Sequence, residues 1–224
     1  MVSNKLLSVV HCVHKVTKMS LDSSVTESVP AEKLALEKLT TFCQHLANTY
    51  RQIRTLTGPE RSNVDKTLAK ASRYELLRKL NPASSTCYSQ QQTEQIQTEC
   101  LHEINNRLIA TGELINETAD GFNKLLRSYQ DLQYTAQQLD WSKATTSSLI
   151  TGTDKRKPLE YYLQQGFRIV YQLNKVISQI KLVLGAVDLH RIDSIQKLRE
   201  CLKISEELDL YLREFVTFTA FIVK

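Results

Sequence analysis

The chain has 224 residues, 42% of them hydrophobic and 24% charged, with only six Gly and four Pro. That composition is globular, and so few turn formers weigh against a β-sandwich or an α/β enzyme and favour few, long helices. The formal net charge of +5 comes from basic residues dispersed among acids, which helps approach to acidic surfaces but is too mild for a nucleic-acid-binding signature.

Residues 1–18 carry Lys5, Lys15 and Lys18, no acid, and a stripe of Leu6, Val9, Val10, Val13 and Val16. A mitochondrial presequence fits the stripe, but the absence of Arg argues against it. His11 and His14 interrupt the apolar core a secretory signal needs. An amphipathic leader, or an extension ahead of a start at Met19-Ser20, fits as well. Residues 19–29 are polar and acidic, so the whole of 1–29 is expected to be a flexible or weakly helical leader.

Pro30 then suits a helix start. Leu36, Leu39, Cys43, Leu46, Tyr50 and Ile53 follow at steps of three and four, which predicts a helix to about Thr57. Gly58-Pro59 is expected to end it and to open a second helix over about 60–80, with Val64, Leu68, Ala71 and Leu77 inward. Asn81-Pro82 reads as a loop. From Ser89 to Asp140 there is no proline, and Leu108, Thr111, Ile115, Thr118, Phe122, Leu125, Tyr129, Leu132, Ala136 and Leu139 keep the same rhythm. This predicts one central helix about 75 Å long at 1.5 Å per residue. Gly112 and Gly121 are candidate bends or breaks, and Thr111 and Thr118 a loose stretch of the seam. Residues 30–141 thus form an N-terminal set of three helices.

Residues 142–157 read as an internal linker, and residues 158–224 as two further helices on the same bundle. Pro158 opens the first of these. Its stripe of Leu159, Tyr162, Ile169, Leu173, Val176, Ile180, Val183 and Val187 runs beside a second of Leu163, Phe167, Val170, Ile177 and Leu184. So wide an apolar arc predicts burial against more than one neighbour, at the bundle centre. The last helix is expected to start at Asp193 and to bury Cys201, Ile204, Leu208, Tyr211, Phe215, Phe218 and Ile222. Its tip, VTFTAFIV, could instead form a strand or need a partner to cover it.

The fold expected is therefore all-α: an elongated antiparallel helical bundle with heptad, coiled-coil packing and one very long central helix. A helix of about 75 Å outreaches a partner of about 30 Å, and that mismatch predicts pairing with another chain.

Chemistry is sparse. No Gly-rich phosphate loop, GxSxG elbow or CxxC pair occurs. His102-Glu103 begins an HExxH motif, but Asn106 stands where the second His must be. Glu99 and His102 form one ExxH where a di-iron bundle needs two. His11, Cys12 and His14 lack a further ligand. The five Cys at 12, 43, 87, 100 and 201 read as buried free thiols of a reducing compartment. Asn116-Glu117-Thr118 matches a glycosylation sequon but falls inside a helix. No catalytic, metal or cofactor site is expected. The residues singled out for partner binding are Trp141, the basic cluster Lys155, Arg156 and Lys157, and the apolar tip residues Phe215, Phe218 and Phe221.

The sequence thus predicts an intracellular, cytoplasmic or nuclear, non-enzymatic subunit or adaptor. It would bind other proteins through helical surfaces as a homo- or hetero-oligomer. Alternatives are a membrane-trafficking module on anionic membranes or fusion-machinery helices, and, more weakly, a nucleic-acid-binding helical protein.

Overall fold

A computed structural model describes residues 28–79, 89–143, 147–154 and 156–222. Residues 1–27 of the leader, with Cys12, the loop expected at Asn81-Pro82, Cys87 and Lys155 lie outside the described residues, and the leader's last two residues, Ser28 and Val29, are already helical. The described chain is all-helical, with helices packed against one another and no strand. No described helix is long and apolar enough to cross a membrane.

Helix α1 spans Ser28–Thr55 and α2 spans Arg61–Lys79. The expected break at Gly58-Pro59 is instead a π-helical turn, Leu56–Glu60, that carries the chain from one to the other. Pro59 has no N–H, and its ring would strike the carbonyl four residues back in a regular α-turn. A wider turn accommodates both, and the Arg61 N–H donates to the carbonyls of Leu56 and Gly58.

Helix α3, Gln90–Gln137, starts where the sequence places it. Ser89 and Gln92 form a reciprocal capping box, with Ser89 Oγ accepting from Gln92 N at 3.3 Å and Gln92 Oε1 from Ser89 N at 3.0 Å. The helix is continuous through Gly112 and Gly121. Leu184 packs beside the first, and the Gln52 amide lies against the bare backbone of the second.

Helix α1 packs on the C-terminal half of α3, where Phe42 meets Tyr129 with ring centroids 5.6 Å apart. Helix α2 packs on the N-terminal half, where Lys70 pairs with Glu103 at 2.7 Å and the Leu77 carbonyl accepts from Gln97 at 3.1 Å. The length mismatch behind the expected pairing with another chain therefore disappears, because two helices in series match α3. The physical reason is the π turn, which extends the stack where a break was expected.

A short helix α4, Ser148–Thr151, precedes α5, Leu159–Gly185. The region read as a linker is folded from Ser147 onward. Leu149 and Ile150 are buried, at about 1.5–3 kcal/mol each for full burial. The Ser147 hydroxyl caps α4 by accepting from Ile150 N. Gly152, at φ +85°, turns the chain back; a Cβ there would stand 2.8 Å from the Arg156 carbonyl oxygen.

The expected last helix is two: α6, Ile192–Cys201, and α7, Glu206–Thr219. Ser205 restarts the helix, its hydroxyl accepting from Leu208 N at 3.2 Å ahead of Glu206, Glu207 and Asp209 in the first turn. Arg191, not Asp193, is the N-cap of α6. The buried residues are accordingly Ile195, Leu198, Leu202, Leu212 and Phe215, a different set from the predicted stripe apart from Phe215. The C-terminal tip is helical to Thr219, and no strand forms there among the described residues.

Two apolar cores result. One gathers Leu39, Phe42, Leu46, Phe122, Leu125, Tyr129, Tyr162, Ile169 and Phe215 from α1, α3, α5 and α7. The other gathers Leu56, Val64, Ala71, Ile104, Leu108, Ile115, Ile180, Ile195 and Leu198 from the π turn, α2, α3, α5 and α6. Thr111 and Thr118 lie near the changeover and are fully buried. The Thr118 hydroxyl donates to the carbonyl four residues back, and the single Thr111 hydroxyl proton is shared between the Arg107 carbonyl and Glu60 Oε1. The seam there is polar and hydrogen-bonded. Helix α3 touches α1, α2 and α5 and is the hub. Helix α5 is buried against more than one neighbour, packing on α3, α4 and α6 and contributing to both cores, but part of its second stripe, Leu163, Phe167 and Leu184, is only partly buried.

Candidate functional site

Among the described residues, no three His, Cys, Asp or Glu side chains gather as metal ligands would. The near-motif on α3 is spent on structure. Glu99 accepts from Gln95 at 3.0 Å, and His102 Nε2 shares a hydrogen bond with Asn106 at 3.0 Å. Glu103 is held by Lys70 and Arg107, which keep its carboxyl below the usual range.

The thiols are quiet. Burial pushes Cys43 up to about 12, against a hydrogen bond from Thr219 that lowers it. Cys201 is also raised, by burial and by the charge of Glu200. It lines an open groove of about 320 Å³ between α5 and α6 with Val176, Gln179, Val183, Lys197, Glu200 and Lys203. Burial likewise raises Tyr129, Tyr162 and Tyr211. Thiols and phenols held protonated are poor nucleophiles and bases.

The residues expected to bind partners are placed as follows. Trp141 opens a 3₁₀ turn, Trp141–Lys143, just past α3. Its indole N–H donates to the Ala136 carbonyl at 2.9 Å, closing the helix end, while 40% of the residue stays exposed. Of the basic cluster, Arg156 and Lys157 lie among the described residues. Arg156 folds back, its guanidinium donating to the Ser148 carbonyl at 3.1 Å and its backbone closing a turn with Thr153. Lys157 points to solvent. At the tip, Phe215 is buried against Tyr161 and Tyr162, and Phe218 stacks on Tyr162 with centroids 6.1 Å apart. Phe221 is left 44% exposed at the edge of this cluster.

The structure brings Phe215, Phe218 and Phe221 into one aromatic cluster, and no ring or cation–π contact among the described residues joins it to Trp141, Arg156 or Lys157. Trp141 closes a helix end, Phe215 is buried, Arg156 closes a turn, Phe221 lies half-exposed against Phe218, and Lys157 is exposed. What sequence reasoning missed is a face of α5. Tyr171, stacked on Phe167, and Leu182, about three turns further on, are 52% and 75% exposed there. Phe167 and Leu163 stand in the second stripe of the sequence reading, whereas Tyr171 and Leu182 fall in neither stripe.

Compared with known protein families, curated proteins and solved structures, the chain matches none.

Proposed function

We propose that this chain is a non-enzymatic, protein-binding subunit or adaptor of a larger intracellular assembly, acting through the surfaces of its helices. The observation that carries this reading is the position of large apolar side chains outside a closed core. Leu76, Ile109, Tyr134, Tyr171 and Leu182 are each more than half exposed, while both cores are filled. Such residues are ordinary when scattered singly, but Tyr171 and Leu182 share one side of α5, where a partner's cover would be favourable.

The same reading takes the fold as an elongated antiparallel bundle with heptad packing. Lys38 pairs with Asp131, Gln52 lies at Gly121 and Glu60 meets Thr111. Partner numbers fall along α3 as they rise along α1 and the π turn, which supports an opposed run.

The test is affinity capture of the full chain under native salt, with cross-linking and light scattering. A stoichiometric partner cross-linked to bundle lysines, or a mass above that of one chain, is the expected result. A lone monomer at every concentration, with no stoichiometric partner, defeats the reading.

A further inference from the structure

We propose that the outer face of α5 from Leu163 to Leu182 is a docking surface for an acidic amphipathic helix of a partner protein. The inference rests on the protein-binding reading above and adds the place and the chemistry of the partner.

The apolar arc of α5 is wider than its neighbours cover. Ile169, Leu173, Ile177 and Ile180 are buried. On the flank towards α7, Gln165 accepts from the Tyr211 hydroxyl, and Arg168 stands 5.2 Å from the centre of the Tyr211 ring. The remaining side carries Leu163, Phe167, Tyr171 and Leu182. At 3.6 residues per turn, these four fall within an arc of about 100°, over a rise of about 29 Å. Phe167 and Tyr171 stack with centroids 6.4 Å apart, and Lys175 Nζ lies 5.7 Å from the Tyr171 ring centre. Leu163 and Phe167 are half-buried against the first core, Tyr171 and Leu182 are exposed, and Asn174 and Ser178 stand on the same side between them. Single exposed apolar residues are ordinary, but a face with apolar anchors towards both ends is one along which a second helix can lie.

Charge selects the occupant. Helix α5 carries Arg168, Lys175 and Lys181 against one acid, Glu160, and Gln164 already bonds that acid at 3.0 Å. Neither Lys175 nor Lys181 is in an ion pair among the described residues. A second copy of this face would set lysine against lysine. A helix with Leu along one stripe and Glu beside it covers the apolar anchors and meets the lysines with opposite charge, which speeds encounter and fixes orientation.

The probe is a fluorescein-labelled helical peptide of about 20 residues, about as long as the face. It carries Leu at steps of three and four flanked by Glu, and a twin carries Lys in place of Glu. Anisotropy is read as the full chain is titrated in. The Glu peptide is expected to bind at least about tenfold tighter than its twin, a difference of about 1.4 kcal/mol. Tyr171→Ser with Leu182→Ser should weaken it about tenfold. Lys175→Glu with Lys181→Glu should reverse the preference between the peptides. All four side chains point outward, so circular dichroism should show the fold intact. Equal binding of the two peptides, no binding of either, or indifference to both double variants overturns the inference. The protein-binding reading is judged apart from it, by the capture experiment, which uses no peptide.

Discussion

Gly166→Ala should destabilise this protein even though it replaces glycine within a helix by the best helix former. A Cβ at Gly166 would stand 2.7 Å from Tyr129 Cε2, 3.0 Å from Cδ2 and 3.1 Å from Phe42 Cζ. The Tyr129 ring has little room to retreat. Its hydroxyl donates to the Leu163 carbonyl at 2.7 Å, one turn before Gly166 on the same helix, and Phe42 backs it from α1. Overpacking of this kind costs roughly 1–3 kcal/mol, while Ala over Gly gains about 1 kcal/mol in helix propensity. At the upper end of the cost, the net loss is about 1–2 kcal/mol, or roughly 2–8 °C in Tm for a chain of this size. Gly112→Ala is the control. Its nearest heavy atom is a Leu184 methyl at 3.7 Å, an ordinary contact, so the propensity gain should survive as a rise of up to about 1 kcal/mol. Urea and thermal unfolding followed by circular dichroism read both. If Gly166→Ala is as stabilising as Gly112→Ala, the close approach of α5 to the Tyr129 ring is wrong.

Ser205→Ala should cost about 1 kcal/mol by removing the cap of α7, while Ser205→Asp should keep most of it; denaturant midpoints of the two variants decide. Trp141→Phe removes a hydrogen bond to the end of α3, worth about 0.5–1.5 kcal/mol, and faster amide exchange in the last turn of α3 is the expected readout. Cys43 should resist alkylation at pH 8 in the folded protein and react on unfolding, as mapped by mass spectrometry. Because its folded value of about 12 lies above the ordinary 9.0, this group leaves stability unchanged below about pH 9. Above that, the unfolded thiol ionises and the folded one does not, so stability falls with rising pH, by up to about 1.4 kcal/mol per unit. A flat urea midpoint between pH 9 and 11 in the wild type, matching Cys43→Ala, would contradict the burial assigned to it.

Most buried positions of α1, α2, α3 and α5 were legible because a stripe at steps of three and four reports which side of a helix is covered. Continuity was not legible. At Gly58-Pro59 the sequence offers a stop, yet the backbone takes a wider turn and goes on. At Ser205 the stripe runs on while the helix stops and restarts. The cap signal, Ser before three acids within four residues, was there but was outweighed by the periodicity. The second stripe of α5 shows a further limit. Hydrophobic spacing shows that a face would be better covered, but not whether the neighbour belongs to this chain. Nor does spacing give the local contacts of single residues, such as the bond from Trp141 to the end of α3 or the turn that Arg156 closes.

The π turn at Leu56–Glu60 acts as a phase adjuster. Helices α1 and α2 read the same long α3, and their inward residues must stay aimed at it across the join. Deleting one residue from the turn would rotate α2 by about 100°. Val64, Thr67 and Ala71 would then face water, and Asp65 would leave Arg199 of α6. Substitutions at the turn's less buried Thr57 and Gly58 should therefore be far better tolerated than any change in the number of its residues.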